Sequence, residues 1–198
     1  MSDPWLIVGL GNPEARYAHN RHNVGHMVID ALAGRAGSRL SRHKSRARVA
    51  EARLGVLPGG APGPRVILAR PDAFMNVSGG PVKALVRFYG IDPTARLLVI
   101  HDELDIDPHE LRLKRGGGEG GHNGLRSISQ ALGTRDYARL RVGIGRPPGR
   151  QDPADFVLSD FPARERADWA VTCEEAADAA ESVALLGFDA AQLRLHSA

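Results

Sequence analysis

Residues 5–13 read WLIVGLGNP, and this stretch decides the kind of fold. Six residues, Trp5 to Leu10, form an apolar run that Gly11-Asn12-Pro13 ends. That is the pattern of a buried strand stopped by a turn. The period then changes. Val24, Met27, Val28, Ala31 and Leu32 recur at helical spacing, so a helix is expected from about Asn23 to about Gly34. A buried strand that passes into a helix is the start of an α/β chain.

The rest of the chain continues the alternation. RARVAEARL at 46–54 alternates like a strand, and PGGAPGP at 58–64 must be a hairpin loop or tip. RVILA at 65–69 is a strand ended by Pro71. Val82, Leu85, Val86 and Tyr89 mark a second helix, opened by Ser78-Gly79-Gly80-Pro81. LLVIH at 97–101 is a third buried strand. A short strand near 111–114, a helix at about 123–132, and a strand at 139–144 follow, and one or two helices close the chain from Pro162. There is no internal repeat, so residues 1–198 are expected to form one α/β domain with a largely parallel sheet.

An apolar fraction of 42% and a charged fraction of 25% are ordinary for a globular protein. The single cysteine, Cys173, leaves no disulfide framework and fits a reducing cytoplasm; its spacing suits a buried helix position. The first strand lacks the basic flank and cleavage site of a secretory signal, and no run is long enough to cross a bilayer. A cytoplasmic protein without membrane contact is expected. Net charge is +3 with a pI near 9.4, which permits nucleic-acid binding without requiring it. Arg39, Arg42, Lys44, Arg46 and Arg48 lie close together, and Arg112, Lys114 and Arg115 form a second basic group.

In parallel sheets, sites form beyond the carboxyl ends of the strands. Asn12 follows the first strand, Asn76 follows RVILA, and Asp102 follows LLVIH. If those strands are parallel, the three side chains meet on one rim. His22, at the start of the first helix, can act as a base at neutral pH if a carboxylate fixes its tautomer, and Asp102 suits that task. The amides of Asn12, Asn76 and Asn123 can hold a carbonyl or a developing oxyanion. Glycines 116–118 and 120–121 argue for a functional loop. The kit is that of water-dependent acyl hydrolysis. Two rivals are weak. His19, His22 and His26 have zinc-like spacing, but Asn23 stands where a zinc hydrolase needs glutamate, and no third ligand is evident. GLGNPE resembles a dinucleotide turn, but Pro13 and Glu14 spoil it. No cofactor or metal is expected.

Five motifs, in order, carry a resemblance over nearly the whole chain: LIVGLGNPEARYAHNRHNVG, RPDAFMNVSGG, LLVIHDELD, GGHNGLRSI and LRVGIGRP. Together they resemble the bacterial peptidyl-tRNA hydrolases. The resemblance implies a monomeric three-layer α/β/α enzyme with a mostly parallel, mixed sheet. It would cleave the ester between a peptide and the 3′-terminal ribose of tRNA. The same resemblance makes His22 the base, Asp102 its carboxylate and Asn12 the residue that selects N-blocked groups. Tyr17, Phe74, Asn76 and Asn123 would contact the tRNA or its peptidyl end, with Lys114 and Arg141 on the tRNA 5′-phosphate. Met75 and His122 would support the peptide groove. Asn20 and Ala73 stand where the family commonly has threonine, and Glu119 adds a negative charge to the glycine loop. A non-enzymatic RNA-binding protein of the same fold and a nicotinamide-dependent oxidoreductase are the competing readings.

Overall fold

A computed structural model describes residues 3–198. In chain order its main elements are β1 (Trp5–Gly9), α1 (Val24–Arg35), β2 (Ser41–His43), β3 (Ala47–Arg53), β4 (Arg65–Pro71) and α2 (Gly79–Tyr89). Then come α3 (Pro93–Arg96), β5 (Leu97–Glu103), β6 (Leu111–Arg115), α4 (Asn123–Leu132), β7 (Ala138–Gly143), α5 (Pro153–Val157), α6 (Arg166–Leu186) and α7 (Phe188–His196). Every residue of β1 is buried, as a strand covered on both faces must be. It pairs in parallel with β4 on one side and β5 on the other, and β5 pairs in parallel with β7. Antiparallel strands finish both edges, giving the order β2-β3-β4-β1-β5-β7-β6.

Strand alternation divides the core into two layers. Ile7, Leu68, Leu98, Ile100, Leu140 and Val142 face the side covered by α1 and α6. Leu6, Val8, Ile67, Leu97 and Val99 face the side covered by α2 and α4. The result is the expected α/β/α sandwich with a mixed, centrally parallel sheet. Cys173 is buried in α6, and burial pushes its thiol up to about 12, so it remains a packed apolar side chain.

Two glycines set how closely α1 lies on the sheet. A Cβ on Gly9 would fall 2.0 Å from the Gly25 carbonyl oxygen, and one on Gly25 would fall 2.4 Å from the Ile100 oxygen. Close approach of helix and strand therefore needs both positions bare. It also sets the height of the turn that opens α1 above the ends of β1 and β5.

Some boundaries differ from expectation. β5 runs to Glu103 because β7 keeps pairing with it, Asp102 opposite Val142 and Glu103 opposite Gly143, so Asp102 sits within the strand and not after it. β2 has no apolar pattern and exists because it can pair with β3. The short helix α5 is capped by Asp152, whose side chain accepts from the Ala154 N–H, with Pro153 at its first position. The 58–64 tip is a hairpin turn, bridged between Val56 and Pro62.

Two histidines belong to the core. Burial, with a smaller contribution from Arg70, pushes His26 down to about 3; burial also pushes His101 down to about 3. Both are therefore neutral when folded, whereas an unfolded chain protonates them below about 6.5. Between about 3 and 6.5 the unfolded state binds the extra protons, so these residues cost stability as pH falls through that window. Replacing His26 with Gln should flatten the loss of unfolding free energy between pH 7 and pH 5, measured by urea melts; an unchanged slope would remove His26 from the account. Gly25→Ala should lower stability by about 1–3 kcal/mol through overpacking against β5, read from a thermal melt.

Candidate active site

Because β4, β1 and β5 are parallel, their carboxyl ends share one rim. Asn12 lies on the loop after β1, and Asn76 in a 3₁₀ turn, Met75–Val77, between β4 and α2. Asp102 is near the end of β5, and His22 sits in the 3₁₀ turn Arg21–Asn23 that leads into α1. All four line one cavity of about 440 Å³, together with Tyr17, Phe74, Met75, His122 and Asn123. Pro153, Ala154, Val157 and Leu158 form a further wall. Phe74 is 49% exposed at the mouth, an apolar surface on a polar rim.

The centre of the cavity is a carboxylate held by two imidazoles. His22 Nδ1 lies 2.9 Å from Asp102 Oδ2, and His122 Nε2 lies 2.9 Å from Asp102 Oδ1. The tautomers follow from the neighbours. His122 is the N-cap of α4, and its Nδ1 accepts from the backbone N–H of Gly124 at 3.1 Å, so its proton is on Nε2 and is donated to Asp102. An ionised Asp102 only accepts, so His22 donates from Nδ1, and its Nε2 is left with a free lone pair. Burial opposes the charged form of His22, but the Asp102 charge and hydrogen bond outweigh it, and the imidazole is raised above its ordinary value. Burial likewise opposes ionisation of Asp102, 3% exposed, yet the two imidazoles hold it well below the usual carboxylate range.

Asn23 holds Asn12 in place. Its Oδ1 accepts from the Asn12 N–H at 2.9 Å, and its Nδ2 donates to the Asn12 carbonyl at 2.9 Å. Asn12 Oδ1 in turn accepts from the Met75 N–H at 2.8 Å. With that oxygen engaged, the group Asn12 has left to offer is its Nδ2, a donor. Loops after β1 and β4 are thus tied to each other and to the turn that carries His22.

Lys114 and Arg141 lie elsewhere. Register puts Arg112 opposite Arg141 and Lys114 opposite Arg139, so the four share one sheet face. Lys114 and Arg141 line an adjoining cavity of about 250 Å³ with His101, Glu103 and Glu119. Glu103 is part-buried and accepts from Arg141 Nη2 at 2.6 Å. Buried Arg139 donates to the carbonyls of Gly117 and Gly118, clamping the glycine loop. Four glycines of that loop have positive φ, from 59° at Gly120 to 91° at Gly117. Glu119 pairs with Arg135 at 3.0 Å. Asn20 donates to Asp160 at 2.6 Å, tying the first loop to the segment after α5.

The weak sequence readings do not assemble. His26 packs its ring against Gly11, and His19 lines a separate cavity beside Trp169, so the zinc-spaced histidines diverge. Glu14 pairs with Arg16 and opens a 3₁₀ turn, and no α-helix follows the Gly-Asn-Pro turn until Val24. The role of His122 on Asp102 and that of Asn23 were not foreseen. A histidine before Asn-Gly at a helix start is a faint cap signal, and Asn23 carries no signal at all.

Comparison with known proteins gives the arrangement its family. The family profile described as "Peptidyl-tRNA hydrolase" matches residues 6–198. A peptidyl-tRNA hydrolase of Kineococcus radiotolerans is 60% identical over 197 residues, covering 100% of this chain and 99% of the relative. One from Frankia alni is 61% identical, covering 98% and 94%. Among solved structures, the Arg119Gln mutant of peptidyl-tRNA hydrolase from Acinetobacter baumannii superposes with a TM-score of 0.83 at 36% identity, covering 98% of this chain and 95% of that one. On that profile match and those identities over nearly its full length, the chain belongs to the peptidyl-tRNA hydrolase family.

Proposed function

We propose that His22 is the general base of a peptidyl-tRNA hydrolysis and that Asp102 holds it in the working tautomer. The observation that carries this is the 2.9 Å contact of His22 Nδ1 with a buried carboxylate, which leaves Nε2 as the only basic nitrogen of that ring. Nε2 takes a proton from water, and the water oxygen attacks the ester carbonyl carbon. The imidazolium that forms is stabilised by the adjacent Asp102 charge. The tetrahedral oxyanion then collapses, the bond to the ribose oxygen breaks, and that oxygen takes the proton back from His22. Peptide and tRNA leave separately.

Asn12 supports selection for N-blocked substrates. Its Nδ2 would meet an acyl carbonyl well, whereas the ammonium of an unblocked aminoacyl group would face a second donor and lack a partner. Asn76 and Asn123 line the same cavity and suit the remaining carbonyls of the peptidyl end. Tyr17 and Phe74 flank it, with apolar surface for a ribose, base or side chain. Lys114 and Arg141, in the adjoining cavity, suit the 5′-phosphate, a contact that positions the substrate without reading sequence. Residues 1–198 act in this reading as one domain, a cytoplasmic monomer. No helix among the described residues is long and apolar enough to cross a membrane.

His22→Ala should lower kcat by at least about 10²-fold with the fold intact, measured on N-acetylaminoacyl-tRNA; turnover near that of the parent would end the role of His22. Asp102→Asn should cut kcat strongly with little change in tRNA affinity, because the amide can donate to Nδ1 and force the proton onto Nε2. Tight tRNA binding without any hydrolysis by the parent chain would favour the non-catalytic RNA-binding reading. The base works only when neutral, and His22 is raised, so kcat/KM should fall on the acid side with an inflection above 6.5. A profile flat down to pH 6 would contradict that.

A further inference from the structure

The sheet edge farthest from Lys114 carries a second concentration of positive charge that the reaction does not use. Register places Arg42 of β2 opposite Arg48 of β3, and Arg48 opposite Arg70 of β4, so three arginines line up on one face across three strands. Like charges directly opposite on neighbouring strands destabilise a sheet. Only Arg70 has an acidic partner within ion-pair distance, Asp30 at 2.8 Å; among the described residues Arg39, Arg42, Lys44, Arg46 and Arg48 have none. Arg48 and Arg70 line a cavity of about 460 Å³ together with Arg39, Asp30 and Pro13. Pro13 follows Asn12, so this cavity adjoins the catalytic rim.

The β2–β3 turn brings the row onto that rim. β3 starts opposite the carboxyl end of β4, Ala47 against Pro71, so Lys44, Ser45 and Arg46 stand beside the loop that carries Phe74 and Asn76. The turn is rigid. His43 Nδ1 contacts Ser45 Oγ at 2.8 Å, and the Asp72 N–H donates to the Arg46 carbonyl at 2.8 Å. Arg46 is held at φ 63°, a conformation that an arginine seldom adopts. On the other face of the sheet, that of Ala47 and Val49, Phe88 of α2 is 50% exposed, with Lys44 over its ring at 4.7 Å and His43 in a T-shaped contact at 4.6 Å.

We propose that this edge is a second RNA-binding surface, on which Arg39, Arg42 and Arg48 seat phosphodiester groups of the substrate tRNA away from its acceptor end. Guanidinium forks fit phosphate oxygens, and a row of uncompensated cations set at the regular strand spacing suits the repeating phosphates of the polyanionic substrate of the proposed function. β2 lies three strands from β1, as β6 does on the other side, roughly 14 Å each way at the usual strand spacing. The catalytic centre is thus flanked by basic groups at both edges. The assignment rests on the tRNA substrate of the proposed function.

The test is the double variant Arg42→Gln/Arg48→Gln, assayed on full-length N-acetylaminoacyl-tRNA and on an N-acetylaminoacyl ester of a trinucleotide. Expected are a KM for the full tRNA raised about ten-fold, an unchanged kcat, and unchanged cleavage of the trinucleotide ester. The slope of log affinity for deacylated tRNA against log salt should become shallower by about 1.5, two cations' worth. The thermal midpoint should hold or rise, since a like-charge pair is removed. An unchanged KM and salt slope, or equal losses on both substrates, would overturn the proposal. If the parent chain cleaves neither ester, the catalytic reading fails, while the binding of deacylated tRNA still decides this one.

Discussion

An ionised carboxylate that is almost completely buried survives only if its lone pairs are used, and the site depends on how Asp102 meets that requirement. Two imidazole N–H groups use those lone pairs: His22 Nδ1 lies 3.0 and 2.9 Å from the two oxygens, and His122 Nε2 lies 2.9 Å from Oδ1. The bond to His22 fixes which nitrogen of that ring is basic. The bond to His122 reaches the first turn of α4, because the other nitrogen of His122 caps that helix. One carboxylate therefore sets a tautomer, anchors a helix start and joins β5 to two loops. The same two imidazoles that it orients are what keep it ionised.

The backbone scaffold around that carboxylate is equally economical. Gly9 and Gly25 let α1 lie directly on the sheet, so the turn before it delivers His22 to the end of β5. Asn23, next to His22, binds both backbone groups of Asn12, and Asn12 binds the backbone of Met75. The His22 imidazole and the Asn12 amide are thus held by contiguous hydrogen bonds and not by long flexible side chains. Rigid placement of this kind matters because a displacement of about 1 Å can cost on the order of 10²-fold in rate.

Positive charge is concentrated at the two edges of the sheet. The cavity that holds His22 and Asp102 sits at the carboxyl ends of the central strands, and arginines and a lysine collect at both edges, some balanced by acids and some not. Arg141 is held by Glu103 and Arg70 by Asp30, so these guanidinium groups are pre-oriented, while Arg42 and Arg48 face each other without compensation. A net charge of only +3 conceals this arrangement, because the acidic residues concentrate elsewhere, several of them on α6.

The one-dimensional pattern carried much of this molecule. Apolar runs such as Trp5–Leu10 and Leu97–His101 read as buried strands, and the helical stretches interleaved with the strands make a largely parallel sheet with a common rim. From that, the convergence of Asn12, Asn76 and Asp102 follows by topology, and the ordered motifs supply the family. Weakly patterned pieces were not legible. β2 is too short and polar, and α5 too short, to show a period, and β5 reaches Asp102 only because β7 is there to pair with it. Nor does a sequence say which amide oxygen is engaged. That Asn12 offers a donor, that His122 shares Asp102, and that Arg42, Arg48 and Arg70 form one row are facts of distance and register. Sequence order determined which strands and motifs exist; only tertiary packing decided which polar atoms spend their hydrogen bonds on each other and which are left for substrate.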